Sequence, residues 1–264
     1  PGGRGVRDIL AARQRGVIEP FAWSRTLLAF DFDGTLAPIV NRPEDAGMRI
    51  VTRRLLSRAA ALYPCIVISG RAISDVGRRV SDLGLRAVVG NHGLEPWKAT
   101  RKINRRVREW RPLFEAALRG EAGVQIEDKS YSLAVHFRGS RAKKRVRGLV
   151  REVALGLDRV RLIGGIEVIN IVPSDAPHKG IALERERARL ECDTAIYVGD
   201  DETDEDVFAL DQPGRLLSIR VGQKLTSRAD FFIRSQTDID ALLRLLIRLR
   251  EDTRVLVRRL EEAL

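Results

Sequence analysis

An α/β fold, with a doubly wound, mainly parallel sheet and an inserted α+β unit, is predicted from three features of the sequence. Short apolar, β-branched runs recur at 27–30, 65–68, 87–89, 195–198 and 216–221. Stretches of helical periodicity fill much of the space between them, notably 43–62, 73–83 and 180–191. Strands alternating with helices argue for a parallel sheet covered on both faces. The middle of the chain breaks that rhythm, because Val124-Gln125-Ile126 and Leu133-Ala134-Val135-His136-Phe137 alternate with the period of two that marks a half-solvated sheet. The expected division is 1–95 for the first part of the core, 96–172 for the insert and 173–264 for the second part of the core.

The first strand carries the most chemistry. Leu27-Leu28-Ala29-Phe30 runs straight into Asp31-Phe32-Asp33-Gly34-Thr35-Leu36. Ligands of such sheets lie beyond the carboxyl ends of the strands, and residues two apart on a strand face the same way. Asp31 and Asp33 are therefore expected to reach one site. Two acids at a strand tip are costly to desolvate unless a cation or a proton lies between them, so the pair reads as a metal site, an acid–base pair, or both.

The second strand, Cys65-Ile66-Val67-Ile68, ends in Ser69-Gly70-Arg71, a hydroxyl and a turn able to donate to an anion. The third closes with Val89-Gly90-Asn91-His92-Gly93. Within the insert, 102–118 and 141–155 read as helices, while 123–138 and 160–172 contain strands. Its open sheet face is suited to a lid. Next, Pro177-His178-Lys179-Gly180 opens a helix, and a lysine there adds its charge to the positive end of the dipole, a natural phosphate seat.

The strand 195–198 is followed by Gly199-Asp200-Asp201-Glu202-Thr203-Asp204-Glu205-Asp206. Thr203 with Asp206 three residues on reads as a helix cap. Asp200 and Asp201 precede that cap and are not explained by it; a hard cation such as Mg²⁺ would explain them. The Leu/Arg-rich segment 240–264 is expected to be a packing helix.

Composition narrows the function. The 264 residues suit one large domain or a domain with an insertion. No apolar run reaches the roughly eighteen residues of a membrane span. The start, Pro1-Gly2-Gly3-Arg4-Gly5, has no initiator Met and no signal-like apolar region, which is expected of a processed, trimmed or excised chain. Cys65 and Cys192 form no Cys-x-x-Cys pair and suit reduced thiols in a cytoplasmic protein. A net charge of +11 raises nucleic acid as a partner. The arginines are interleaved with 36 acids, though, and three Tyr, three Trp and eight Phe make a poor stacking platform. The run 141–145 reads as a solvated helix face, and attraction of anionic metabolites fits the charge better. Neither a Gly-x-Gly-x-x-Gly after a strand nor a Walker-type loop is present.

The order Asp-x-Asp-Gly-Thr, Ser, Lys, Gly-Asp-Asp, each at a strand or helix end, resembles the haloacid dehalogenase superfamily over roughly 26–95 and 173–234. Asp31-Phe32-Asp33-Gly34-Thr35-Leu36-Ala37-Pro38-Ile39, Ser69-Gly70-Arg71, Gly90-Asn91-His92-Gly93, His178-Lys179-Gly180 and the stretch 199–205 are similar to trehalose-6-phosphate phosphatases. Glu127-Asp128-Lys129, His136-Phe137-Arg138 and Gly165-Ile166-Glu167 resemble sugar-binding stretches of that family's open-faced α/β cap.

The resemblance implies a haloacid dehalogenase-like core and hydrolysis of trehalose 6-phosphate through an aspartyl-phosphate. It implies Asp31 as nucleophile and Asp33 as proton donor to the departing sugar oxygen and later base for water. Mg²⁺ would be held by the Asp31 carboxylate, the Asp33 carbonyl and Asp200, with Asp201 and Asp204 as support or an extra ligand. Ser69 and Lys179 would hold phosphoryl oxygens. Arg71, Asn91, His92, Glu127, Lys129, His136, Arg138 and Glu167 are candidate substrate-binding groups; the acidic and basic ones on the insert are equally ordinary on a solvated sheet face. An acid at Asp33 favours phosphate-ester chemistry, since the superfamily's dehalogenases lack one there and related transport ATPases carry Thr. Rival readings are a phosphatase for sucrose phosphate or mannosyl-phosphoglycerate, a phosphomutase and, from another class, a basic nucleic-acid-binding module. A functional link to a trehalose-6-phosphate synthase is a further expectation.

Overall fold

The computed structural model describes residues 7–97, 101–129, 131–165 and 167–262, with side chains through Thr253. In chain order the elements are β1 (Arg7–Asp8), α1 (Arg15–Trp23), β2 (Thr26–Phe30), α2 (Ile50–Leu62), β3 (Cys65–Ile68), α3 (Ile73–Val80) and β4 (Ala87–Val89). Then come α4 (Arg101–Ala117), β5 (Gln125–Asp128), β6 (Leu133–His136), α5 (Lys143–Leu155), β7 (Val160–Gly165) and β8 (Val168–Pro173). The chain ends with α6 (Lys179–Arg189), β9 (Thr194–Gly199), α7 (Glu205–Phe208), β10 (Leu216–Val221), β11 (Phe231–Ile233) and α8 (Ile239–Glu262).

Two units result, one comprising the chain up to Gly93 and from His178, the other Leu94–Pro177. The expected insert boundaries, 96 and 172, lie just inside the second unit.

The larger unit is a seven-stranded sheet of order β1-β11-β10-β9-β2-β3-β4, parallel at every pairing. All five residues of β2 are buried, because a central parallel strand is covered on both faces. Alternate residues Leu28 and Phe30 join a core with Ile18, Leu56, Val76, Leu242 and Leu246, drawn from α1, α2, α3 and α8. Ala182, Leu183 and Val207 of α6 and α7 are fully buried outside that cluster, as a second covered face requires. This is the expected doubly wound architecture.

Several expected elements need correction. The run 43–62 is not one helix: a 3₁₀ turn at Pro43–Asp45 is separated from α2 by extended backbone at Ala46 and Arg49, around Gly47. Strands β1 and β11 and helix α1 were not expected. β1 has only two polar residues, β11 has three, and α1 carries Gly16 and Pro20, which dilute its periodicity.

The smaller unit is an antiparallel sheet of order β5-β6-β8-β7. Leu133, Val135, Ile169 and Ile171 pack with Val107, Trp110 and Phe114 of α4 and with Val146 and Val150 of α5. Residues 141–145 are all exposed, but only Lys143, Lys144 and Arg145 of that run lie in α5. Among the described residues no helix is long and apolar enough to cross a membrane.

Candidate active site

In the larger unit the connections step one way from β2 to β3 and β4, and the other way from β9 to β10 and β11. The switch point lies between β2 and β9, and a crevice at the carboxyl ends of those strands is where such sheets bind ligands. Asp31 follows β2 and Asp200 follows β9. The Asp31 N–H donates to the Val198 carbonyl at 2.9 Å, continuing the ladder to the tip. Gly34 then turns with φ +82°, and a Cβ there would overlap the Asp200 carboxylate. That close approach explains the glycine. The Thr35 hydroxyl donates to Asp200 Oδ1 at 3.2 Å.

Lys179 begins α6, but its charge does not stand at the dipole awaiting an anion. Its ammonium is 1% exposed and donates to Asp31 Oδ1 at 2.9 Å and Asp204 Oδ1 at 2.8 Å, with Asp201 Oδ1 4.0 Å away. Burial disfavours the charged lysine, yet Asp204 and Asp31 override it and hold its pKa well above the ordinary value. Burial pushes Asp31 up, Lys179 opposes that, and Asp204, Asp200 and Asp201 add to it. Asp200 is pushed up to about 7 by burial and by its neighbours Asp204 and Asp201. These are charges awaiting compensation.

The acidic loop differs from expectation. Thr203 does not cap the following helix. Asp201 closes the turn instead: its Oδ1 accepts from the Thr203 N–H at 2.7 Å, the Thr203 hydroxyl at 2.6 Å and the Asp204 N–H at 3.2 Å. Those bonds therefore account for Asp201 without a cation. Burial pushes the Asp201 carboxyl up, but Lys179 and Thr203 outweigh it and hold the group well below its usual range. Asp204, fully buried, accepts from Lys179 and the Tyr197 hydroxyl (2.6 Å) on one oxygen and from the Asp200 and Asp201 N–H groups (2.8 and 2.9 Å) on the other. Arg220 of β10 clasps the loop from below, donating to the Asp200 and Asp201 carbonyls and to Glu205.

Asp33 lies apart from this cluster. Its two oxygens accept from Arg71 Nε at 2.6 Å and Nη2 at 2.7 Å, and its side chain is 37% exposed. Arg71, expected on substrate, is thus held by this chain's own acids. Ser69 is fully buried and its oxygen accepts from the Arg71 N–H at 3.1 Å. Since a hydroxyl has one proton to give, that bond leaves the Ser69 proton for another acceptor. Asn91 and His92 adopt left-handed φ of 47° and 57°. Among the described residues the buried Asn91 Oδ1 has no hydrogen-bond partner. The His92 ring sits where a Cβ on Gly70 would be, which ties the second motif to the third.

Asp31, Asp200 and Asp204 each present an oxygen, all mutually within 4.8 Å. Oxygen-only, carboxylate-rich donors suit a hard divalent cation. Four hydrogen bonds already fill the lone pairs of Asp204, whereas Asp200 accepts one long bond.

In the smaller unit, Glu127 and His136 share a sheet face, 2.9 Å apart, with the Lys129 ammonium 3.9 Å from Glu127. The partly buried Ile126 and the buried Val135 of the same strands turn to the helical side. Hydrogen bonding from His136 holds Glu127 below its ordinary pKa, and burial lowers Lys129. A second cluster joins Glu167, at φ +59°, to Arg138 at 3.4 Å and to Lys143. Ile166 lies outside the described residues.

Sequence reasoning did not single out Tyr197, Arg220, Asp75 or Lys143. A tyrosine inside an apolar strand and an arginine in another were visible signals, since buried polar groups need partners. Asp75 and Lys143 looked like ordinary surface charges.

A family model described as trehalose-phosphatase matches residues 29–228. Trehalose-phosphate phosphatase of Mycolicibacterium paratuberculosis is 37% identical over 199 residues, covering 68% of this chain and 49% of that protein. Probable trehalose-phosphate phosphatase J of Arabidopsis thaliana is 30% identical over 219 residues, covering 74% and 59% respectively. The chain thus spans about half to three-fifths of the length of these curated relatives. In fold it is similar to the C-terminal domain of a C. albicans trehalose-6-phosphate phosphatase, with TM-score 0.74 at 20% identity, covering 92% of this chain and 98% of the other.

Proposed function

The chain belongs to the trehalose-phosphatase family, and from that premise we propose that it is a Mg²⁺-dependent phosphatase converting trehalose 6-phosphate to trehalose and phosphate. The observation that carries the reading is the meeting of Asp31 and Asp200, from adjacent strand tips, beside the buried ammonium of Lys179.

A phosphate monoester resists attack because its oxygens repel a nucleophile, so positioning and charge neutralisation dominate catalysis. Asp31 attacks phosphorus, forming an aspartyl-phosphate as the bond to the sugar oxygen breaks. Lys179, 2.9 Å from Asp31, favours the ionised form of that carboxylate against its burial and offsets the incoming charge. Ser69 directs its remaining proton to a phosphoryl oxygen. Asp33, part-exposed beyond the buried cluster, gives a proton to the departing sugar oxygen and then takes one from the water that cleaves the intermediate. Asp31 and Asp200 would hold the cation, which when bound neutralises phosphoryl charge. Asp204, its lone pairs engaged, fastens Lys179 and the loop, and Asp201 shapes the turn.

Selectivity is assigned to Asn91 and His92 of the larger unit and to Glu127, Lys129, His136, Arg138 and Glu167 of the smaller one. A site with many hydrogen-bonding groups rejects sugars that leave them unpaired. A cytoplasmic setting and a synthase that supplies the phosphosugar are part of the same reading.

The test is phosphate release from trehalose 6-phosphate, sucrose 6-phosphate and glucose 6-phosphate, with Mg²⁺ and with a chelator. Preference for trehalose 6-phosphate, dependence on the metal and loss of turnover in Asp31→Asn are expected. Equal rates on all three sugars would overturn the disaccharide assignment, and a preference for sucrose 6-phosphate would favour that rival.

A further inference from the structure

Arg71 touches more of the reactive region than any role on substrate requires. Its Nε and Nη2 form a two-pronged bond to Asp33, and its Nη1 donates to Asp75 Oδ2 at 2.7 Å. The guanidinium lies 5.8 Å from the centre of the Phe32 ring. Its side chain is 12% exposed. Asp75, in the first turn of α3, turns its other oxygen to Arg79 Nε at 3.0 Å. Arg79 in turn donates to the carbonyls of Pro43 (3.3 Å), Glu44 (3.2 Å) and Ala46. Among the described residues, Arg71 is the only side chain bonded to the Asp33 carboxylate.

We propose that Arg71 is a positioning residue for Asp33, the end of an ion-pair relay Arg79–Asp75–Arg71–Asp33 that holds the leaving-group carboxyl in one orientation from helix α3. The inference rests on the reading of Asp33 as the acid that protonates the sugar oxygen.

The physical argument is geometric. Asp33 stands on a loop after β2 with two freely rotating side-chain bonds, and it is partly exposed. Proton transfer in the transition state demands a donor held within hydrogen-bond reach and along the right line. A planar guanidinium bonded through two nitrogens fixes the plane of the carboxyl group, which a lysine cannot do. The fork engages one lone pair on each Asp33 oxygen and leaves the others pointing outward. Arg71 is itself fixed, since all three of its nitrogens have carboxylate partners and Asp75 is pinned from the far side by Arg79. Helix α3 therefore braces the acid through Asp75 and Arg71.

The experiment compares trehalose 6-phosphate, whose alkoxide leaves poorly, with 4-nitrophenyl phosphate, whose phenolate needs little protonation. For Arg71→Ala and Asp75→Asn, kcat on the sugar phosphate is expected to fall about tenfold or more, while kcat on the aryl ester and both KM values stay within about twofold. In an Asp33→Asn background, Arg71→Ala should add less than about twofold, because residues acting as a unit are not additive. Arg71→Lys should restore little of the loss. Asp75→Asn, nearly isosteric and one link removed, keeps the test decisive if Arg71→Ala unfolds.

Raised KM on both substrates with kcat retained would make Arg71 a phosphate-binding group and overturn the proposal, as would equal kcat losses or full rescue by lysine. Asp33→Asn alone reports on the underlying reading. If that variant slows both substrates equally, the acid role fails; if it is selective and the Arg71 and Asp75 variants are not, only the relay fails.

Discussion

Replacing Lys179 with methionine keeps most of its volume and removes one buried charge. In the native protein the ammonium, 1% exposed, meets Asp31 at 2.9 Å and Asp204 at 2.8 Å. At an effective dielectric near 20, each contact is worth about 6 kcal/mol before desolvation, which takes back several kcal/mol per ion. Removing one partner of a buried pair costs about 3–5 kcal/mol, since the survivors keep their burial penalty. At about 2 °C per kcal/mol for a chain of this size, Tm should fall by about 6–10 °C at pH 8.

The loss should depend on pH. Without Lys179, Asp31 and Asp204 titrate still higher in the folded state, while in the unfolded chain they titrate near 4. The folded variant then binds more protons across that window, so its stability drains away as pH rises through it. Lys179 itself has a raised pKa, so its stabilising contribution is complete below about 10.5 and constant over the assay. Thermal unfolding at pH 5 and pH 8, both in chelator, reads the effect: the deficit should be smaller at pH 5. A shift under about 2 °C at pH 8, or the same shift at both values, would refute the charge accounting.

Other outcomes follow from the same geometry. Asp200 is pushed up to about 7 by burial, so in chelator it weakens the fold as pH rises from about 4 to 7, and a cation must bind its ionised form. The Mg²⁺-induced rise in Tm should therefore be larger at pH 8 than at pH 5.5; equal rises would exclude Asp200 as a ligand. Asp200→Asn should abolish that rise without lowering Tm in chelator, whereas Asp204→Asn, which removes the charge facing Lys179 and turns one of the two oxygens shared by Lys179, Tyr197 and two backbone N–H groups into a donor, should lower Tm by about 5 °C or more in chelator. Glu127→Gln should raise KM for trehalose 6-phosphate about fivefold or more and leave 4-nitrophenyl phosphate unchanged, measured by steady-state kinetics.

How much of this could be read beforehand depended on the kind of signal. Strands β2, β3 and β9 announce themselves because burial on both faces demands continuous apolar runs, while the half-buried edge strand β4 and β10, with Ser218 and Arg220, show shorter apolar runs. Their tips were legible for the same reason, since Asp31, Ser69 and Asp200 break such runs abruptly. Directions of side chains were not legible. Nothing in Asp200-Asp201-Glu202-Thr203-Asp204 says that Asp201 folds back onto its own turn while Asp204 is buried under Lys179. Spacing alone cannot choose between a cap, a lysine partner and a metal ligand, because a carboxylate serves all three. Arg71 illustrates the same limit: a basic residue after a strand tip suggests an anion, and only the fold reveals that Asp33 and Asp75 are among its partners. The short elements β1 and β11 were invisible because two or three residues carry no period.

The arrangement of charge explains why one lysine is not enough. Asp31, Asp200 and Asp204 converge with a formal charge of −3, and Lys179 returns +1, leaving −2 over these four groups, with the Asp201 carboxylate 4.0 Å from the same lysine. Lys179 cannot serve all three, since its contacts go to Asp31 and Asp204, while Asp200 is left with a single 3.2 Å bond from Thr35. The groups whose ionised forms are least compensated are thus Asp200 and Asp31, at the ends of neighbouring strands, and burial raises the pKa of both. A monovalent cation would leave the pair half neutralised, and a proton on Asp200 would remove the donor that draws the ion in. Asp31 and Asp200 would hold a divalent ion, which would neutralise the deficit, while Asp204 keeps its four hydrogen bonds. Placing Asp31 and Asp200 on different strands of the switch point lets the backbone ladder, with Asp31 N–H on the Val198 carbonyl, set their separation before any ligand arrives.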